Sequence, residues 1–139
     1  MGKSFIDTNV ILYANDANAG AKRERAEAVI RKHIAAKTAV ISTQVCMEYA
    51  SVAFSKLRQP PDAIEDQLDL LARLEVVQVD VPLVRAGFHL MAAHSLSFWD
   101  AVILAAAQSA RCEVLLTEDL CHGRLYGAVR VVDPFRSEA

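Results

Sequence analysis

Four acidic side chains stand where the elements of an α/β chain begin or end. Asp7 closes the short apolar run Lys3 to Ile6, and Asp119 follows Val114 to Leu116. Glu48 lies early in a helical stretch that Ser42 or Thr43 can cap, and Asp100 falls in the first turn of a helix opening near Ser97. Carboxylates gathered without compensation raise one another's pKa and resist ionising together, a penalty that a hard dication removes. Mg²⁺ suits an all-oxygen cleft, because such ions use a few protein carboxylates and keep several waters. They also activate water and neutralise charge developing on a phosphodiester, so metal-dependent phosphodiester hydrolysis is the chemistry that this set favours. Each acid also has an ordinary use: Asp7 as a helix cap, Asp100 at a helix N-terminus, Asp119 in a turn and Glu48 on the surface.

The elements that must carry these acids follow from apolar periodicity. Strands are expected at Lys3 to Ile6, Ala39 to Ile41, Val76 to Val79, Val114 to Leu116 and Val129 to Val132. Between them lie an amphipathic helix from Ala19 to Ala36, the helix bearing Val45, Glu48, Tyr49 and Val52, and one opened by Pro60-Pro61 with a stripe of Ile64, Leu68, Leu71 and Leu74. A further helix starts at Pro82, and the last carries Trp99, Val102, Ile103, Ala106 and Ala110 on one face. Strands alternating with helices over short links predict a sandwich around a mainly parallel sheet. In such sheets ligands bind outside the carboxyl ends of the strands, which is where Asp7 and Asp119 fall.

Composition limits the alternatives. The chain has 139 residues, 53% of them hydrophobic and 23% charged, the proportions of a globular protein, and one domain over 1–139 is expected. The longest apolar run, Ala101 to Ala107, is far short of the roughly 20 residues of a membrane span. With Asp7 interrupting any leader-like stretch, a cytoplasmic location and no membrane partner are expected. Cys46, Cys112 and Cys121 form no C-x-x-C pair, and no histidine has a ligand partner at i+4, so neither a disulfide framework nor a zinc site is supported. Net charge is −2, but setting the four acids aside leaves thirteen acids against fifteen bases, a remainder weakly attractive to a phosphodiester backbone. The basic stretch from Lys22 to Lys37 is balanced by Glu24 and Glu27 and reads first as a solvated helix face.

Across essentially its whole length the chain resembles the PIN-domain ribonucleases, and among them the VapC-like toxins of toxin–antitoxin pairs. The matching pieces are Phe5-Ile6-Asp7-Thr8-Asn9, Ile41-Ser42-Thr43-Gln44-Val45-Cys46-Met47-Glu48-Tyr49, Ser97-Phe98-Trp99-Asp100-Ala101, Leu115-Leu116-Thr117-Glu118-Asp119-Leu120 and Asp133-Pro134-Phe135. The resemblance implies a PIN-like three-layer α/β/α sandwich in which Asp7, Glu48, Asp100 and Asp119 are catalytic and hold Mg²⁺ or Mn²⁺, and that the protein cleaves RNA. The acid two residues after Thr117 matches the pattern, which selects Asp119 over Glu118. Thr8, Asn9 and Thr117 are expected to support the ligands or to serve as caps and turns. The resemblance further implies a homodimer and a VapB-like antitoxin that inserts a basic residue into the acidic cleft. An amphipathic segment of that partner would cover apolar surface around Tyr49, Phe54 and Leu57. Two other readings compete: a noncatalytic PIN-like module binding RNA or protein, and a phosphoaspartate hydrolase. The latter wants a second Asp where Asn9 stands.

Overall fold

A computed structural model describes residues 2–136. In chain order the elements are β1 (Ser4–Ile6), α1 (Thr8–Ala14), α2 (Ala21–Ala36), β2 (Ala39–Ser42), α3 (Thr43–Ser55), α4 (Pro61–Leu71), β3 (Glu75–Val77), α5 (Val81–His94), α6 (Phe98–Ser109), β4 (Val114–Leu116), β5 (Leu125–Tyr126) and β6 (Val129–Val132). The six strands form one sheet in the order β3-β2-β1-β4-β6-β5. Every pairing is parallel except β5 with β6.

This order dictates the layers. From β1 to β2 to β3 the chain steps one way, and right-handed crossovers put α1 to α4 on one face. The step from β3 to β4 returns past β2 and β1, which puts α5 and α6 on the other. The helix contacts agree, since α1 packs on α2 and α3, α3 packs on α4, and α5 packs on α6. The reversal of strand order falls between β1 and β4. That is the point where loops leaving the carboxyl ends diverge to opposite faces and open a crevice.

Sheet and helices are held by a core that includes Phe5, Ile41, Tyr49, Leu104, Leu115 and Val131, all fully buried. β1 and β2 are buried throughout, as strands covered on both faces must be. In α6 every residue from Ala101 to Ala107 is buried, which explains a helix apolar on all sides. The close approach of α5 to α6 depends on Gly87, where a Cβ would lie 2.6 Å from Cγ2 of Val102 and 3.1 Å from its Cα. No single helix among the described residues is long and apolar enough to cross a membrane.

Several local expectations need correction. The third strand ends at Val77, because the Val79 N–H donates to the Thr43 hydroxyl (3.1 Å) outside the ladder. The two-residue β5 was not expected, being too short to carry a period. Trp99 does not share the buried face of α6 but is 65% exposed, in the first turn. Tyr49, expected beside the cleft as partner-binding surface, is fully buried, and its hydroxyl donates to Oε1 of Gln59 (3.0 Å).

Candidate metal centre

β1 and β4 end side by side, Ile6 opposite Leu116, so the residues that follow them emerge together. The Asp7 N–H still donates to the Leu116 carbonyl (3.0 Å) and the Thr117 N–H to that of Val132 (3.1 Å), which extends strand geometry to the crevice itself. Asp7 is the N-cap of α1, one carboxylate oxygen accepting from the Thr8 N–H (2.7 Å). The capping use foreseen for it and a place in the cluster therefore coexist, since an ionised carboxylate offers about four lone-pair sites.

The other Asp7 oxygen accepts from the Thr117 hydroxyl (2.8 Å), which itself accepts from the Asn9 side-chain amide and the Asp119 N–H (both 3.1 Å). The same Asn9 amide donates to Oδ2 of Asp119 (2.9 Å). One fully buried hydroxyl thus ties Asp7, Asn9 and Asp119 together. Across the crevice the Thr8 hydroxyl donates to Oε1 of Glu48 (2.6 Å). Asp100 arrives from the opposite helical layer in the first turn of α6, whose N-cap Ser97 accepts from the Asp100 N–H (3.1 Å). Oxygens of Asp7, Asp100 and Asp119 lie within 4.8 Å of one another, with Asp7 buried, Asp100 half-buried and Asp119 exposed. Glu48 is joined to this trio through Thr8 and stands outside it.

Glu118 is turned elsewhere. It accepts from the Tyr13 hydroxyl (2.6 Å) and the Lys22 ammonium (2.8 Å), while that ammonium lies over the Tyr13 and Phe135 rings. Burial raises the Glu118 carboxyl, but the Lys22 and Tyr13 hydrogen bonds outweigh it and leave it below its ordinary value. Adjacent acids are thereby separated in use, one latched to α1 and α2 and the other at the crevice. Arg23 and Arg31 pair with Glu27, so this part of the basic stretch on α2 is internally compensated. His122, near Asp119 in sequence, accepts at Nδ1 from the Asp133 N–H (3.0 Å) and holds a loop.

The electrostatics follow from burial and like charge. Asp7 is pushed up to about 7, chiefly by desolvation; the Thr117 and Thr8 hydrogen bonds oppose this, and Asp119 and Glu48 add to it. Asp100 is also raised by burial, against the Ser97 hydroxyl and with help from Asp119 and Glu48. Among the described residues no Lys or Arg forms an ion pair with any of the four acids. Asp7, Asp100 and Asp119 would hold Mg²⁺ through carboxylate oxygens that already lie within 4.8 Å of one another. The residues present fit a hard dication: all-oxygen donors, clustered, mutually repelling and without a protein counter-ion.

Thr117→Val keeps the shape of the hub but strips Asp7 of a donor and leaves two N–H groups without their acceptor. It is expected to lower stability by about 1–3 kcal/mol, read by thermal unfolding. Divalent-ion affinity of the folded protein should fall by about tenfold or more, read by Mn²⁺ titration.

A mainly parallel sheet with carboxylates gathered at its switch point defines a class of α/β domain with an acidic cleft. Within that class the family follows from a PIN domain model that matches residues 4–127, and the chain belongs to the PIN domain family. No curated protein matches the chain by sequence. Among solved structures, a toxin–antitoxin complex from Klebsiella pneumoniae superposes with a TM-score of 0.72 at 22% identity, covering 97% of this chain and 100% of that one. DNA-bound VapBC from Salmonella typhimurium gives 0.69 at 21%, covering 96% and 99%. VapC20 of Mycobacterium tuberculosis, described as a sarcin–ricin loop cleaving toxin, gives 0.67 at 17%, covering 84% and 92%. At these identities the likeness is one of fold.

The site residues named from sequence thus divide. Asp7, Asp100 and Asp119 are together, Glu48 and Thr8 form the adjoining pair, and Asn9 and Thr117 link Asp7 to Asp119. Gln44, not among the residues named from sequence, donates its amide to Oε2 of Glu48 (3.4 Å) and to the Trp99 carbonyl (3.1 Å). Its position four residues before Glu48 was the available signal.

Proposed function

We propose that this chain is a metal-dependent endoribonuclease that hydrolyses RNA phosphodiester bonds, and that it is the toxin of a toxin–antitoxin pair. The observation that carries this reading is the Asp7, Asp100 and Asp119 trio, with oxygens within 4.8 Å and no cationic side chain among the described residues paired to them. These three would hold Mg²⁺ or Mn²⁺, with Glu48 alongside through Thr8. When bound, the ion supplies activation of water and neutralises charge on the phosphodiester. The protein's own part is to fix the carboxylates in advance: Thr117 and the Thr8 N–H orient Asp7, Asn9 orients Asp119, and Ser97 sets the turn that carries Asp100.

The toxin assignment is supported by family membership and by the VapBC and VapC20 neighbours. An acidic cleft without a protein counter-ion is also a receptor for a partner's Arg, whose guanidinium pairs bidentately with carboxylate. We therefore propose a VapB-like antitoxin that inserts a basic residue there. Self-association as a homodimer has exposed apolar side chains available to it, among them Phe54 on α3, Val81 and Phe88 on α5 and Trp99 on α6. A cytoplasmic location goes with an RNA substrate.

The test is cleavage of RNA by the purified protein. Mg²⁺ or Mn²⁺ is expected to support it and excess EDTA to stop it. Ca²⁺ is expected to bind yet support little turnover, because its looser coordination does not hold nucleophile and phosphate in line. Undiminished cleavage in EDTA, leaving 2′,3′-cyclic phosphate ends, overturns the proposal.

A further inference from the structure

The second residue of α3, Gln44, is 5% exposed and lies where the two helical layers meet at the crevice. Its amide nitrogen spends one donor on the Trp99 carbonyl (3.1 Å), in the residue before Asp100, and reaches Oε2 of Glu48 (3.4 Å) one turn along its own helix. One NH₂ group therefore bridges an acid on α3 to the turn of α6 that carries another. The amide oxygen is buried and has no hydrogen-bond partner among the described residues. Turning the amide over does not relieve this, because its oxygen would then face a carboxylate and a carbonyl, acceptor against acceptor.

A buried acceptor left unpaired is destabilising, and folded proteins seldom keep one without a compensating use. Methionine, of similar length and without polar atoms, would fill the position free of that penalty. The use must then lie with the donors. We infer that Gln44 is a positioning residue of the metal centre, holding Glu48 and the Asp100 turn in register at the expense of fold stability. Without its amide the Glu48 carboxylate keeps only the Thr8 hydroxyl, on Oε1, and the first turn of α6 loses this tie to α3.

The inference rests on the nuclease reading, so its test measures metal binding and stability as well as activity. Wild type, Gln44→Met, Gln44→Leu and Asp100→Asn are compared for Mn²⁺ affinity by calorimetry, melting temperature in EDTA, and kcat and KM on RNA. The expected result for Gln44→Met is a Mn²⁺ dissociation constant raised about 10–100-fold and a lowered kcat, with a melting temperature within about 4 °C of wild type, because loss of the unpaired amide oxygen offsets loss of the donor to the Trp99 carbonyl. An unchanged dissociation constant overturns the inference, whatever the activity. So does a melting temperature lowered by more than about 4 °C, which makes Gln44 a packing residue. Failure of both Gln44→Met and Gln44→Leu to fold overturns it for the same reason. Wild type that binds no Mn²⁺ removes the metal centre and this inference with it, whereas wild type that binds, with Asp100→Asn impaired and Gln44→Met normal, removes the inference alone.

Discussion

Asp100→Asn is expected to reduce metal-dependent RNA cleavage by more than about a hundredfold while leaving the fold intact. The substitution preserves shape and removes one charge from three oxygens that lie within 4.8 Å of one another. Its backbone position does not depend on the carboxylate, because Ser97 caps the helix by accepting from the Asp100 N–H. Neutralising one of several repelling acids should leave the metal-free protein at least as stable as before. Initial cleavage rates at saturating Mn²⁺, beside thermal unfolding in EDTA, check both halves. Near-normal cleavage by Asp100→Asn would remove this residue from the centre. Asp7→Asn should be equally damaging to activity, since Asp7 is the most deeply buried of the trio.

The second large effect is on stability as a function of pH. An Asp7 carboxyl near 3.8 in the unfolded chain is pushed up to about 7 in the folded one, chiefly by burial. Between those values the folded state binds more protons than the unfolded, so metal-free stability falls as pH rises through the window and levels off above it. At 1.36 kcal/mol per pKa unit the decline attributable to this group amounts to at most about 4 kcal/mol. Asp100, also raised, adds in the same direction. His33, held below its ordinary value by burial, works the opposite way, so the difference between wild type and Asp7→Asn isolates Asp7. Asp7→Asn should flatten the profile without gaining the full amount, because its NH₂ would face a Thr117 oxygen already accepting from Asn9 and Asp119. Denaturant unfolding in EDTA at pH 5 and 7.5 measures this. Saturating Mn²⁺ should cancel the decline. A difference between the two proteins that does not change with pH would refute the argument.

The acids at strand ends were legible because a strand in a parallel sheet announces itself as a short apolar run, and the residue after it falls at the ligand-binding edge. Phe5-Ile6-Asp7 and Leu115-Leu116-Thr117 both have that form. Asp100 was legible through its cap, Ser97, three residues earlier. What escaped had weaker local signals. Gln44 has no charge and lies unmarked within a matching segment, and its tie to α6 appears only when α6 is packed against α3. Trp99 was misplaced because periodicity assigns a face to a whole helix, whereas the first turn of α6 leaves this ring exposed. Tyr49 was assigned to the surface although Val45, Tyr49 and Ala53 form an i, i+4, i+8 row, all fully buried, and that spacing alone argued for the core.

The strand order has a consequence for the chain during its own synthesis. Asp7 is held by Thr117 across 110 residues of sequence, and β1 waits for β4 to complete its second edge. Until β4 emerges and pairs, α1 has its cap but the cleft lacks one wall, and Asp119 has not arrived. Contacts of such sequence separation form late and are slow to close. A nascent chain that has exposed Asp7, Glu48 and even Asp100 thus lacks an assembled centre until Asp119 follows. Under the proposed activity on RNA, this topology withholds the acidic cluster until the last parallel strands have paired.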